Sequence, residues 1–89
     1  MMKEGGPVKL ASGKTAYRWS DSEKPSLNHW YQLRECMDYW KIQKVFYCKE
    51  TNITYYRIVE YYNGYLLCCG KTLAQARQLI RENTYRMVI

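Results

Sequence analysis

The residues of this chain that could do chemistry fall into three groups. The first is Gly64-Tyr65-Leu66-Leu67-Cys68-Cys69-Gly70-Lys71-Thr72, which ends in the Gly-Lys-Thr of a phosphate-cradling loop. Such a loop has four residues between its first glycine and the Gly-Lys, so that consecutive N–H groups curl around one phosphate. Here five intervene, and they are apolar or aromatic where a cradle needs small residues close to the ligand. A chain of 89 residues also has no room for the crossover units and metal-binding acid of a nucleotide-hydrolysing domain. The stretch reads as a β-strand running into a helix whose N-cap is Thr72. The second group is Cys36, Cys48, Cys68, Cys69 and His29. No two cysteines stand in C-x-x-C spacing, and His29 and Cys36 sit seven apart, so the set does not predict a zinc site. The cysteines read as reduced, buried, small hydrophobes, with Cys68 and Cys69 on opposite faces of a strand. The third group is tyrosine interleaved with lysine and arginine, chiefly Tyr47, Lys49, Tyr55, Arg57 and Tyr61. This is binding chemistry and not catalytic chemistry, since no serine or cysteine is recognisably paired with a base. The expectation is a non-enzyme that uses no cofactor and no small-molecule substrate.

These side chains need elements to hold them. Residues 1–14 read as a flexible leader and residues 15–89 as one small α+β domain, with a short strand at 15–19. Ser26 stands as an N-cap, and Trp30, Leu33, Met37 and Trp40 recur at helical spacing, which predicts a helix over 26–39. Residues 43–50, 54–62 and 65–69 predict three antiparallel strands, the last two joined by a two-residue turn at Asn63-Gly64. Thr72-Leu73-Ala74-Gln75 is a capping box, and Leu73, Ala76, Leu79 and Ile80 give the helix that follows an apolar side up to about residue 83. The tail 86–89 supplies a fourth strand, a homodimer contact or a peptide for a partner's sheet edge.

The turns imply a register in which Lys44 faces Glu60 as an ion pair and Phe46 faces Ile58. One face then carries Ile42, Phe46, Cys48, Tyr56, Ile58, Tyr62, Tyr65, Leu67 and Cys69, a bed for the C-terminal helix. The other carries Tyr47, Lys49, Tyr55, Arg57 and Tyr61, partly roofed by the first helix.

Residues 43–83, with their sheet, Asn-Gly hairpin and Gly-Lys-Thr-Leu-Ala-Gln-Ala helix start, resemble the arm-type DNA-binding domains of phage integrases and the plant AP2 domain. That resemblance implies a sheet laid in the major groove with the helix behind it. Those sheets usually present several arginines, whereas Arg57 is the one clear arginine on this face.

Charge points to the same partners. Fourteen Lys and Arg against eight Asp and Glu give a net charge of +6, and Lys71, Arg77, Arg81 and Arg86 gather around the C-terminal helix as a phosphate track. The expected partner is DNA or RNA. The alternative is a host nucleoprotein complex, because ten tyrosines and three tryptophans make an aromatic-rich surface of the type found on small phage-encoded inhibitors, including anti-CRISPR proteins. No apolar run spans a bilayer and no signal peptide is evident, so a cytoplasmic protein without a membrane partner is expected.

Overall fold

The computed structural model describes residues 6–10, 12–20, 22–34 and 38–86. In chain order they form β1 (Pro7–Lys9), β2 (Thr15–Tyr17), β3 (Tyr31–Gln32), β4 (Tyr39–Cys48), β5 (Ile53–Glu60), β6 (Leu66–Lys71) and α1 (Leu73–Asn83). β1 and β2 make a two-stranded ribbon inside and beside the stretch read as leader, and the other four strands make an antiparallel sheet in the order β3-β4-β5-β6. No described helix is long and apolar enough to cross a membrane.

The helix α1 forms where its local signals agree. The Thr72 hydroxyl accepts from the Gln75 N–H at 3.3 Å, and the Gln75 side chain accepts from the Thr72 N–H at 3.0 Å. Two orphan donors of the first turn are thereby satisfied. Leu, Ala, Gln and Arg then continue it with little loss of rotamer freedom. Its Ala76 and Ile80 are fully buried against Ile42, Tyr56, Ile58 and Tyr31, with Trp19, Leu27, Trp40 and Cys68 closing the rim. Burying a side chain the size of Ile80 stabilises by about 2–3 kcal/mol.

The helix predicted over 26–39 is absent from the described residues of that range; residues 35–37, Cys36 among them, lie outside the description. Asn28 adopts φ +60°, a left-handed conformation that no helix interior accepts. Trp30 and Tyr31 then alternate across the sheet, and Trp40, which completed the helical stripe, pairs with Tyr31 inside β4. The segment is a loop feeding a very short edge strand.

The register differs from the expected one at both turns. Trp40, not Lys44, faces Glu60, and Ile42 faces Ile58, so no Lys44–Glu60 ion pair forms. Val45 is an extra residue between Lys44 and Phe46, opposite the Tyr55–Tyr56 step of β5. This bulge turns Phe46 away from α1, and Phe46 is 52% exposed. The Asn63-Gly64 turn is wider than two residues. The Glu60 N–H donates to Tyr65 O at 3.0 Å, and the Glu60 carboxylate accepts from the Tyr62 and Asn63 N–H groups, both at 2.8 Å. Gly64 supplies the left-handed residue, φ +67°, that closes it. β6 therefore leaves the turn out of phase. Two further shifts against β5 bring Cys68 opposite Ile58 on the core side, while Tyr62, Tyr65, Leu67 and Cys69 are exposed. Of the cysteines, Cys69 is exposed and Cys48 and Cys68 are half-buried, so none of these three is the fully buried hydrophobe expected.

The segment after α1 stitches the two sheets together. Thr84 bridges Leu33 beside β3, Arg86 bridges Tyr17 of β2, and Tyr85 is buried with Leu10 and Ala16 in a second small core. Residues 87–89 of the expected tail strand lie outside the description.

The molecule measures 46 × 37 × 18 Å, with a radius of gyration of 14.0 Å. A compact chain of this length would have about 12 Å. One sheet and one helix make two layers, and the opposite face of the sheet has no described helix over it.

Candidate interface on the open sheet face

Strand alternation assigns the open face. Ile42, Tyr56 and Ile58 point to α1, so Tyr39, Lys41 and Gln43 of β4 and Tyr55, Arg57 and Val59 of β5 point away. The Val45 bulge adds Phe46, opposite Tyr55 with ring centroids 5.2 Å apart. Leu66, opposite Val59, adds the contribution of β6 and is 50% exposed. Arg57 donates through Nε to Gln43 Oε1 across the strands at 3.0 Å, which anchors the guanidinium over the sheet. The strand residues on this face include two cations, three aromatic rings and no carboxylate.

One end of the face is an aromatic corner. Tyr61 packs edge-on against Trp30 (centroids 4.9 Å, planes at 88°) and Tyr62 (5.1 Å, 90°), and more loosely against Tyr39 (6.0 Å, 68°). Lys41 Nζ lies 4.4 Å from the centre of the Trp30 ring, a cation–π contact. The four rings line a shallow depression of about 340 Å³.

The residues singled out from sequence do not form one surface. Tyr55 and Arg57 lie at the middle of the open face. Tyr47 falls on the other side of the bulge, opposite Thr54, and its hydroxyl donates to the Asn52 side chain. Lys49 is exposed on the tip of the β4–β5 hairpin. Lys71 ends β6 opposite Tyr56, on the α1 side, and Arg77 and Arg81 belong to α1 itself, in the layer behind the sheet.

The basic residues of that layer make internal contacts. Arg77 Nε donates to Pro25 O at 3.1 Å, Arg34 reaches Arg81 O at 3.5 Å and lies over the Tyr85 ring, and Arg86 pairs with Glu23 at 3.0 Å. They tie Glu23, Pro25 and Arg34 to α1 and to the chain after it. His29, within the range of the helix expected over 26–39, packs instead on Tyr31 of β3, with ring centroids 4.7 Å apart.

No family model, no curated protein and no solved structure matches the chain. The open face is therefore read from its own chemistry. Trp30, Tyr39, Lys41 and Phe46 escaped the sequence reading. Trp30 and Tyr39 were hidden by the helix expected over 26–39, and Lys41 fell between that helix and the strand expected from residue 43, although the parity of Tyr39 and Lys41 with Ile42 was a usable signal. Phe46 was placed on the wrong side because nothing local marks Val45 as an extra residue.

Proposed function

We propose that the protein binds single-stranded nucleic acid across the open face of the β3-β4-β5-β6 sheet. The observation that carries this reading is the composition of that face: Tyr55, Phe46 and Tyr39 rings interleaved with Lys41 and Arg57, without a strand carboxylate, on a chain of net charge +6. Aromatic faces stack on unpaired bases at about 1–3 kcal/mol each whatever the sequence, and cations between them track the phosphates. The likeness to arm-type and AP2 domains implies use of the same sheet surface, laid there in a duplex major groove. The single strand is preferred over the duplex because major-groove reading relies on arginine forks at base edges, and this face has Arg57 alone among its strands. Rings at the surface have little to do in a groove and much to do against splayed bases.

The division between the two layers provides the test. Fluorescence anisotropy with labelled single-stranded DNA, RNA and duplex at two salt concentrations should show a single-strand preference and affinity that falls with salt. Arg57→Gln, on the open face, should weaken binding and lower the salt slope by about 0.7, the value for one phosphate contact on a single strand. Arg77→Gln, behind the sheet, should leave the slope unchanged. A duplex preference, or equal effects of the two substitutions in folded proteins, would overturn the assignment.

A further inference from the structure

The aromatic corner at the end of the open face has more structure than a stacking platform requires. Tyr61 and Tyr62 ride on the turn after β5, and that turn is held by the Glu60 carboxylate, only 6% exposed, through the N–H groups of Tyr62 and Asn63 at 2.8 Å each. The backbone of Tyr61 is tied as well, its N–H donating to Tyr39 O at 2.9 Å. Trp30 and Tyr39 are half-buried beneath, so the rings stand at near right angles on a fixed base. A flat platform accepts a base in many positions. A corner accepts one, because a ring laid on one wall meets the next wall edge-on, the offset geometry that aromatic pairs prefer.

Its volume of about 340 Å³ is at the lower end of the roughly 300–1,000 Å³ of small-ligand pockets. Aromatic corners of this kind also take quaternary ammonium groups. Here the Lys41 ammonium already lies over Trp30 at 4.4 Å, and a second cation beside it would be repelled. The same ammonium is well placed for an anion attached to whatever ring enters. We infer that the depression bounded by Trp30, Tyr39, Tyr61 and Tyr62 is a pocket for one unpaired nucleobase, with Lys41 meeting the adjoining phosphate. The inference rests on the single-strand reading and sharpens it: one nucleotide of the bound strand is held in a defined site at the end of the face.

The test uses short single-stranded oligonucleotides that carry the fluorescent base 2-aminopurine at each position in turn. With the wild-type protein, one position should be strongly quenched on binding, as happens when that base stacks on aromatic rings. Tyr61→Leu, at a site 52% exposed, should keep the fold, lose the quenching at that position, and weaken binding by roughly 5- to 150-fold. Its salt slope should stay as in the wild type, since no phosphate contact is removed. Lys41→Gln should do the reverse, lowering the slope while the quenching persists at saturation. A wild-type protein that binds the oligonucleotides with uniform quenching, or a Tyr61→Leu protein that binds and quenches like wild type, overturns the pocket and leaves the open-face reading standing. A wild-type protein that binds no single strand at low salt overturns both.

Discussion

Replacing Glu60 by glutamine probes the turn on which the aromatic corner is built. The carboxylate makes two charge-assisted hydrogen bonds, to the N–H groups of Tyr62 and Asn63, and bonds to charged groups contribute about 1.5–3 kcal/mol each against about 1 for neutral ones. Glutamine retains one acceptor oxygen and presents an NH₂ to the other N–H, so one bond is weakened and one is lost. Tyr62 and Asn63 are exposed, and the freed N–H can reach water, which holds the second loss near the bottom of its range. The sum is about 2–3 kcal/mol. Relief of carboxylate desolvation acts in the opposite direction, but the two donors already replace much of the lost hydration. Total stability for this length is about 4–13 kcal/mol, so the loss is a large share of it and lowers Tm by roughly 10–20 °C. Urea unfolding followed by circular dichroism, with linear extrapolation, measures it directly. A change below about 0.5 kcal/mol, or a more stable variant, would show that desolvation outweighs the two bonds and would refute the reasoning.

One further substitution and one deletion test other joints of the fold. Thr84 is fully buried, and its hydroxyl accepts from Trp19 Nε1 at 3.2 Å while donating to Ile80 O at 2.6 Å; Thr84→Val keeps the shape, loses both bonds and should cost about 2 kcal/mol in chemical denaturation, and a loss under about 0.5 kcal/mol would remove this residue from the list of structural ties. Deleting Val45 should be tolerated within about 1 kcal/mol, because the remaining chain still places Lys44 opposite Tyr56 and Phe46 opposite Tyr55; ring-to-ring NOEs between Phe46 and Tyr55 should survive, and their disappearance would show that the strand does not close into this register once the extra residue is gone.

What was legible in the sequence was what is encoded locally. The C-terminal helix was read with its cap, apolar side and end because Thr72, Gln75, Ala76 and Ile80 lie within three turns and every signal agrees. The central strands were recognised by their β-branched and aromatic content, and their order was correct. Register was not legible, since it depends on one extra residue in β4 and on how the Glu60 carboxylate gathers the next turn, and neither leaves a mark in a period-two pattern. The helix expected over 26–39 failed because Trp30, Leu33 and Trp40 meet a helical spacing by coincidence. Their neighbours Tyr31 and Tyr39 favour extended chain, and Asn28 turns left-handed before a helix could propagate. Of the candidate site, Tyr55 and Arg57 were placed on the outward face by alternation within β5. The grouping with Lys71, Arg77 and Arg81 joined two layers that a linear reading cannot separate.

The uneven course of β6 bears on whether two copies of the molecule can join edge to edge. This strand is the outer margin of the sheet, and it displays Leu66 and Leu67 at 50% and 42% exposure, the ingredients from which fibrils grow. Its two register shifts against β5, with Gly70 at φ +70° near the end, break the row of outward N–H and C=O groups every two or three residues. A strand arriving from another copy would fall out of step before it had made a useful ladder. The opposite margin is Tyr31–Gln32 and, beyond it, β4 itself, whose edge is interrupted by the Val45 bulge. Irregular register thus marks both margins and hinders strand addition at each, whereas the aromatic and basic side chains lie on the flat of the sheet.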